Sequence, residues 1–363
     1  MIVKVGSTQY KTMADTNVPK PRIKINDEYL ELTQDTNLAI KRPRMAVNIG
    51  NQKHYIKDVL NPVKLIETGL QGQDFYFGGA LANNGNIYCS PFNASSILKI
   101  NTNNDTFSTF GTGLGGNASA VLAPNGMIYC MPSTSTSILK INPNNDTYVN
   151  INVTQGFAFN KWLSCTLANN GMIYALPALG AENILKINPN NDTFSTFGNI
   201  QYDDLYDEKY RDTVLSDNGM IYGIPSKGKT SVLKLNPNND TYTTFGNKYS
   251  SYFSGALAPN GIIYSVGTNI LKINTNNDTF TTFGTTTRSF GVALGNNGMV
   301  YSVPSSGKGI KINPANDTYT TFIDSPGEYD SFTGAIAVKG KSTIYSVPLY
   351  YSRIFKLTTY YDI

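Results

Sequence analysis

Few side chains in this sequence of 363 residues could perform chemistry. The single histidine, His54, lies in the strand-like stretch "QKHYIKDV" and is interpreted as a surface residue. The cysteines Cys89, Cys130 and Cys165 lack the paired spacing of a disulfide framework or a zinc site, so they are predicted to be small buried apolar residues. No Ser-His or Cys-His arrangement exists beyond residue 60, and the carboxylates form no obvious pair. These residues therefore predict neither a catalytic centre nor a cofactor.

One acidic run resembles a cation site. The stretch "DDLYDE" offers four carboxylates, those of Asp203, Asp204, Asp207 and Glu208. Calcium loops place such ligands on a ladder that is kinked by glycine, and this run has no such glycine. We interpret the run as a solvated loop and predict no metal site.

Two recurring residue patterns allow a functional and a structural interpretation. A lysine recurs at positions 99, 140, 186, 234, 272, 311 and 356, either as a ring of positive charge or as a partner for the Asp of the adjoining turn. The second interpretation is favoured, with each pair formed across one hairpin. The triplet Asn-Asp-Thr matches the glycosylation acceptor pattern, but it is interpreted as turn chemistry; it begins at Asn104, Asn145, Asn191, Asn239, Asn277 and Asn316.

These patterns belong to an internal repeat. Copies of "NGMIY" end at Tyr88, Tyr129, Tyr174, Tyr222, Tyr264, Tyr301 and, in degraded form, Tyr345, which gives seven units at intervals of 37 to 48 residues. Each unit contains four β-prone runs separated by Asn-Gly and Asn-Asp turns. Runs such as "ILKIN" carry apolar side chains on both faces, as in sheets packed between copies of themselves. The fold is predicted to be all-β: a seven-bladed β-propeller of four-stranded antiparallel blades, favoured over a β-solenoid.

The seventh unit is incomplete, since the chain ends in "TTYYDI" with no copy of "DTFSTFG". The stretch "NPVKLIETGLQG", from Asn61, matches the missing part in pattern. We therefore predict that residues 61–70 supply the outer strand of the last blade, with a strand over Val63–Glu67 beside Arg353–Thr358. This pairing would close the ring and remove two exposed strand edges.

The two faces of the predicted ring differ in how well the repeat is kept. The "NNG" and "NPNND" turns fall on one face and are nearly constant, while the connections between blades fall on the other face and vary. Variation confined to one face marks it as the predicted binding face. Its aromatic side chains suit sugar rings or protein partners, although they could instead fill the gaps between blades. The candidate binding residues are Tyr76, Phe77, Phe157, Phe159, Trp162, Tyr206, Tyr210, Tyr252, Phe290 and Tyr329.

Charge and hydropathy exclude some partners. The net charge of +4 arises within residues 1–60, which hold ten Lys or Arg and six Asp or Glu, and no nucleic-acid-reading motif accompanies it. No stretch approaches the roughly 18 apolar residues of a membrane helix. The first residues also lack the apolar core of a signal peptide. Neither a nucleic acid nor a membrane is therefore expected as a partner.

The units "NG-x-IY … ILKI-x-P" resemble those of propellers in the virginiamycin B lyase family, over residues 61–363. The resemblance implies a propeller fold, and the enzymes of that group use a His near the channel with a bound metal. His54 lies outside the propeller region, so the catalytic part of the resemblance does not carry over to this chain.

Residues 1–60 contain three short pieces that read strand, turn, strand: "IVKVGSTQYKT", "RIKINDEYLEL" and "AVNIGNQKHYIKD". They predict a small β module or docking arm beside the propeller of residues 61–363. This organisation resembles structural proteins of bacteriophages and large DNA viruses. It implies a non-enzymatic virion protein, assembled in the host cytoplasm, that docks on virion proteins through residues 1–60 and presents the variable face to a host glycan or protein. The alternatives are a propeller lyase or hydrolase on a small molecule and a cytoplasmic interaction scaffold.

Overall fold

The computed structural model describes residues 63–70, 75–153, 161–201, 208–226, 230–249, 252–287, 289–305, 307–324, 332–349 and 353–359, and the backbone of six strands within residues 2–56. The chain divides into two compact units, Met1–Lys64 with Leu357–Ile363, and Leu65–Lys356. The described residues form strands and turns, and no helix occurs among them. The predicted all-β class is confirmed.

The first unit contains three hairpins, at the places where the sequence predicts them. Its strands are β1 (Ile2–Val5), β2 (Thr8–Lys11), β3 (Arg22–Ile25), β4 (Glu28–Gln34), β5 (Met45–Ile49) and β6 (Gln52–Ile56). Strands β1 and β2 pair with each other, and β3 to β6 form a four-stranded sheet in chain order. His54 lies on β6, in register with Val47 of β5. The boundary at residue 60 and the docking role of this segment stay predictions.

The second unit is built from four-stranded antiparallel sheets, which we call blades 1 to 7 in chain order. Blade 1 comprises β8 (Tyr76–Leu81), β9 (Asn86–Pro91), β10 (Ile97–Asn101) and β11 (Thr106–Phe110). Blade 2 comprises β12 (Asn117–Leu122), β13 (Ile128–Pro132), β14 (Ser137–Asn142) and β15 (Thr147–Asn152). Blade 3 comprises β16 (Thr166–Leu167), β17 (Ile173–Ala175), β18 (Ile184–Asn188) and β19 (Thr193–Phe197). In each of these blades the strands pair in chain order.

Blades 4 to 6 repeat this plan. Blade 4 comprises β20 (Tyr210–Leu215), β21 (Ile221–Pro225), β22 (Thr230–Asn236) and β23 (Thr241–Tyr249). Blade 5 comprises β24 (Gly255–Leu257), β25 (Ile262–Val266), β26 (Ile270–Asn274) and β27 (Thr279–Phe283). Blade 6 comprises β28 (Val292–Leu294), β29 (Val300–Ser302), β30 (Lys308–Asn313) and β31 (Thr318–Asp324). The first strand of each blade is the inner strand of the propeller, and the fourth is the outer strand.

Blade 7 joins both ends of the ring, as predicted. It comprises β32 (Phe332–Ala337), β33 (Thr343–Pro348), β34 (Arg353–Thr358) and, as its outer strand, β7 (Val63–Glu67). Arg353 Nε lies 2.6 Å from Glu67 Oε1 across this junction. Ile66 packs against the buried Tyr345 and Ile354. The seven-bladed ring and its closure by a strand from the N-terminal side are therefore confirmed.

Asn and Asp side chains shape the turn between the third and fourth strands. In blade 1, Asn101 Oδ1 accepts the N–H of Asn103 (2.9 Å), and Asn104 Oδ1 accepts both the N–H (3.1 Å) and the hydroxyl (2.8 Å) of Thr106. Asp105 has a φ of +62°, in the left-handed region that Asp adopts more readily than most residues. Its counterparts have φ between 56° and 59°: Asp146, Asp192, Asp240, Asp278 and Asp317. The turn role predicted for Asn-Asp-Thr is confirmed.

The hydrophobic core lies between blades because neighbouring residues of one strand point to opposite faces of the sheet. On β9, Ile87 packs with Tyr345 and Ile354 of blade 7. The adjacent Tyr88 packs with Ile128 of blade 2. Each blade is therefore covered on both faces, which explains why its strands lack clean alternation of apolar and polar residues.

A glycine that follows "TF", within or directly after the outer strand, allows the blades to approach each other. Gly246 has a φ of +88°, and a Cβ at this position would lie 2.6 Å from Phe280 Cε1 of blade 5. Only glycine combines this backbone conformation with so close a contact. The recurrence of Gly after the outer strand is thus a packing requirement.

Candidate functional site on the loop face

The ring has two faces that are built differently. We call the face with the turns between the first two and the last two strands of each blade (82–86 and 101–106 in blade 1) the turn face. The face with the loops between the second and third strands and the connections between blades (92–96 and 111–116 in blade 1) is the loop face. Connections in an antiparallel meander alternate between two ends, so each blade contributes to both faces.

Repeated side chains join neighbouring blades at the turn face. Between blades 1 and 2, the hydroxyl of Tyr88 donates to Asp146 Oδ1 (2.8 Å), and Lys99 Nζ lies 2.6 Å from Asp146 Oδ2. Asn84 Nδ2 donates to the carbonyl of Pro143 (2.7 Å). The same Tyr, Lys and Asp combination recurs as Tyr129–Lys140–Asp192, Tyr174–Lys186–Asp240, Tyr222–Lys234–Asp278, Tyr264–Lys272–Asp317 and Tyr345–Lys356–Asp105.

The recurring lysine pairs with an Asp, but not within its own hairpin, so that part of the prediction is wrong. Lys99 contacts Asp146 of blade 2, whereas Asp105 of its own hairpin lies 2.8 Å from Lys356 of blade 7. The Lys and Asp of one hairpin project from opposite faces of the sheet, so each of them meets a neighbouring blade. These ion pairs hold the ring together and are not a ring of free positive charge.

Burial raises the pKa of the tyrosines in these Tyr, Lys and Asp combinations. Loss of solvent, together with the hydrogen bond to Asp278 or Asp317, raises the pKa of Tyr222 and of Tyr264 to about 12, from an ordinary value of 10.0. The pKa of Tyr88, Tyr129, Tyr174 and Tyr345 is raised as well, chiefly by burial. An acid whose pKa is higher in the folded state keeps its proton while the unfolded chain loses it.

We therefore expect an alkaline titration in two steps. The stability that these tyrosines contribute should be fully present below pH 10 and fall as the pH rises from 10 towards 12. The ultraviolet absorbance of phenolate should show a late group among the 24 tyrosines, coincident with unfolding. In denaturant, all of them should titrate together near pH 10. A single step near pH 10 in the folded protein would contradict this assignment.

At the loop face, backbone hydrogen bonds join neighbouring blades. The N–H of Gly116 donates to the carbonyl of Phe92 (2.6 Å), joining blades 2 and 1. The N–H of Lys161 donates to Ser133 (3.2 Å) in the same way, joining blades 3 and 2. Backbone bonds constrain side chains little. Residues at this face can therefore differ between blades without loss of the ring.

The sequence-predicted binding residues fall into three groups. Tyr76, Trp162, Tyr210 and Tyr252 are at most 3% exposed and pack in the cores between blades. They fill the gaps between blades, which is the alternative that the sequence left open. Phe77 and Phe290 are half-buried at the start of the inner strands. The remaining four lie outside the described residues: Phe157, Phe159, Tyr206 and Tyr329.

Arg211 is a central residue of the loop face that the sequence prediction missed. The Cζ atom of its guanidinium lies 5.6 Å from the ring centre of Phe77, 4.8 Å from that of Phe253 and 5.0 Å from that of Phe290. Phe77 lies on β8 of blade 1, and Phe253 and Phe290 precede the first strands of blades 5 and 6. The side chain from the inner strand of blade 4 therefore reaches residues that belong to or lead into three other blades, at the channel end of the loop face. The position at this distance before the turn glycine is occupied, in the first six blades in order, by Phe77, Ala118, Leu163, Arg211, Phe253 and Phe290. Arg211 is the one charged residue in that series, and this difference was the sequence signal that could have identified it.

Asp212, the next residue, connects three blades. Its Oδ1 accepts the hydroxyl of Ser164 from blade 3 (2.7 Å) and the N–H of Thr213 (2.8 Å). Its Oδ2 accepts the N–H of Gly255 from blade 5 (3.0 Å). Burial raises the pKa of this carboxyl, although the hydrogen bonds act in the opposite direction.

Among the described residues, no cluster of three or more His, Cys, Asp or Glu side chains could hold a metal ion. Glu208, from the acidic run, accepts the hydroxyl of Ser226 (3.2 Å) and lies 3.6 Å from Arg211 Nε, while Asp203, Asp204 and Asp207 lie outside the described residues.

Two further predictions concern the cysteines and membrane spans. All three cysteines are buried and unbridged, as predicted, and burial raises the pKa of the Cys130 thiol to about 12. Within the described part of the chain, no helix is long and apolar enough to cross a membrane.

Comparison with known proteins supports the fold alone. No protein-family model and no curated protein matches the chain. Among solved structures, a catalytically inactive virginiamycin B lyase from Staphylococcus aureus with quinupristin is similar, with a TM-score of 0.67 and 14% identity over 82% of this chain and 100% of that one. A streptogramin B lyase has a TM-score of 0.64 and 14% identity over 81% and 97%. Kuenenia stuttgartiensis hydrazine synthase has a TM-score of 0.63 and 12% identity over 82% and 98%. The chain thus shares a seven-bladed propeller fold with proteins of different functions.

Proposed function

We propose that this chain is a non-enzymatic binding protein whose loop face binds a host glycan or a protein partner. The proposal rests on the difference between the two faces. At the turn face, the same Tyr, Lys and Asp combination holds six blade junctions. At the loop face, backbone hydrogen bonds join the blades, so the side chains there can vary. A rigid ring with one variable face is the arrangement expected of a binding scaffold.

The non-enzymatic part of the proposal rests on where the single histidine lies. The resemblance to the lyase family implies a His near the channel, but His54 lies on β6, in the unit Met1–Lys64 with Leu357–Ile363. The inner strands carry Arg211 and Asp212 near the channel mouth instead. Asp212 is engaged by three hydrogen bonds, which suits a structural role.

The finer part of the proposal is the setting. We infer a virion component in which residues 1–60 attach the ring to virion proteins and the loop face points outward. The organisation of the chain supports this inference: short hairpins precede a closed ring, in two compact units. Assembly in the host cytoplasm follows from the same interpretation.

A pair of variants on opposite faces tests the binding role. Phe290→Ala at the loop face should weaken binding of the full chain to a host glycan array or to immobilised virion proteins by about tenfold, corresponding to ~1–2 kcal/mol for a genuine anchor. Asn190→Ala at the turn face should leave both binding and thermal stability nearly unchanged, since Asn190 is exposed and the N–H that it donates to Asn188 Oδ1 is a backbone group, which alanine keeps. Trp162 and Tyr210 are unsuitable probes because their burial makes unfolding the expected result. Binding that is weakened by Asn190→Ala and not by Phe290→Ala would overturn the assignment of the loop face.

A further inference from the structure

The outer strand of blade 2 departs from the repeat at an exposed position. The outer strand of each of the first six blades places one residue opposite the recurring lysine. In five of these blades this residue carries a hydroxyl: Ser108, Ser195, Thr243, Thr281 and Thr320. In blade 2 it is Val149, opposite Lys140. Val149 is 55% exposed, and among the described residues it is the one large apolar residue that is exposed rather than half-buried or buried.

Strand β15 (Thr147–Asn152) also lacks the features that protect sheet edges. It is the last strand of its sheet, so one of its sides presents backbone N–H and C=O groups that β14 does not take up. Its sequence, "TYVNIN", contains no charge and no proline, whereas the outer strand of blade 7 carries Lys64 and Glu67. Charged side chains and prolines are the usual protection against pairing between edges. The edge of β15 is therefore open to a further strand.

The two faces of β15 differ in polarity. Val149 and Ile151 share one face, because side chains two residues apart in a strand point to the same side. Ile151 is half-buried and packs at the margin of the core between blades 2 and 3, and Val149 extends this apolar surface into solvent. Asn150 is exposed and belongs to the opposite face. The strand thus offers an apolar pair on one face and an amide on the other.

These residues complement a second copy of themselves in antiparallel orientation. When two copies of β15 pair with Asn150 at the centre, Val149 of each copy lies opposite Ile151 of the other, and all four apolar side chains fall on one face. The two Asn150 side chains lie opposite each other on the other face, where each amide can both donate and accept a hydrogen bond. These matches need no second sequence, which favours another copy of this chain over an unrelated strand as the partner.

We propose that β15 is a homodimer interface, at which the outer edges of two rings pair antiparallel about a twofold axis through Asn150. Both copies use the same residues, so the contact closes with two chains and does not continue into a fibre. The edge lies on the circumference of the ring, so the loop faces of both rings stay accessible in the dimer. One strand pair is a small interface, and association is therefore weak and dependent on concentration.

Sedimentation of the full chain over a range of concentrations measures this association. We expect a monomer–dimer equilibrium in which Val149→Lys, a charge at the edge, weakens association by about tenfold. Ser108→Lys, at the equivalent position of blade 1, is the matched control and should leave association unchanged. Val149→Thr restores the residue type of the other blades, so it should fold normally and weaken association severalfold.

An introduced cysteine tests the register of the pairing. In Asn150→Cys the twofold axis places the two new thiols opposite each other, so glutathione disulfide should convert the protein to a disulfide-linked dimer. Thr109→Cys, at the equivalent exposed position of blade 1, should stay monomeric under the same conditions. The three native cysteines are buried and should not take part.

Thermal unfolding establishes that each variant is folded, and if Val149→Lys does not fold, Val149→Thr decides. A chain that stays monomeric at every concentration would overturn the proposal. Association that the Val149 variants leave unchanged, or equal cross-linking of Asn150→Cys and Thr109→Cys, would overturn it as well. Association that is lost on deletion of residues 1–60 and kept in Val149→Lys would place the contact in the N-terminal hairpins and reject β15 as the interface.

Discussion

Deleting residues 1–69 should open the ring, whereas deleting residues 1–60 should leave it closed. The longer deletion removes β7, the outer strand of blade 7, and with it the ion pair between Glu67 and Arg353. It uncovers β34 as a free edge and exposes the cluster around Tyr345 and Ile354, on which Ile66 packs. Each large apolar side chain returned to water costs about 1.5–3 kcal/mol, and an open edge invites aggregation.

The shorter deletion is the matched control because it keeps β7 and removes only the N-terminal hairpins. We expect it to give a monodisperse ring and, if the proposed docking role is correct, to abolish attachment to virion proteins. Size-exclusion chromatography and thermal unfolding distinguish the two proteins. In the full-length chain, Ile66→Asp should reproduce the destabilisation without any truncation. A 1–69 deletion that stays monodisperse with an unchanged melting temperature would show that blade 7 does not need this strand.

Asp212→Ala should destabilise the ring by about 2–4 kcal/mol without the removal of a large apolar group. The substitution removes the acceptor of the Gly255 N–H and one of the acceptors of the Thr213 N–H, which also donates to Ser164 Oγ (3.1 Å). The Ser164 hydroxyl loses Asp212 Oδ1 and keeps its contact with Thr213 Oγ1 (3.1 Å). A buried donor without a partner costs about 1–3 kcal/mol, and the weakening of the other two bonds adds to this cost. Asp217→Ala, in the exposed turn that follows the same strand, is the matched control and should have little effect.

The pH dependence of this effect has a defined sign. Because the pKa of Asp212 is raised in the folded state, the wild-type protein gains stability relative to Asp212→Ala as the pH falls through the raised pKa towards the ordinary value of 3.8. The lowered pKa of Asp192 and of Asp317 acts oppositely, since the stability that they contribute is lost in acid. Denaturant unfolding at neutral and mildly acidic pH measures the difference between the two proteins. A difference that shrinks in acid would contradict the buried-carboxylate interpretation.

Much of the fold was predictable because its signals are local. The Asn-Gly and Asn-Asp turns, the apolar runs and the missing outer strand of the last unit each lie within a few residues of one another, so blade number and closure follow from the sequence. The partner of Lys99 was not predictable in this way, because Asp146 belongs to the next unit and the relevant information is which face of the sheet each side chain occupies.

The candidate site shows the same limit. Tyr76 and Phe77 are adjacent aromatics, yet one is buried between blades and the other reaches the channel mouth. A shift of one residue exchanges the two sides of a strand, and β8 carries a register irregularity between Tyr76 and Gly79. Aromatic composition therefore located the region without separating packing residues from accessible ones.

The Asn-Gly turns have a consequence for chemical ageing. Asn-Gly is prone to deamidation because the glycine nitrogen can attack the Asn side-chain carbon, releasing ammonia. In blade 2, Asn125 Nδ2 donates to Pro189 O (2.6 Å) while Oδ1 accepts the Met127 N–H (3.0 Å), and the Gly126 nitrogen donates to Ala123 O (2.9 Å). Nucleophile and target are both held by hydrogen bonds, so the reaction has to wait for local opening of the turn. Isoaspartate at these turns would record how often neighbouring blades have separated during the lifetime of the molecule.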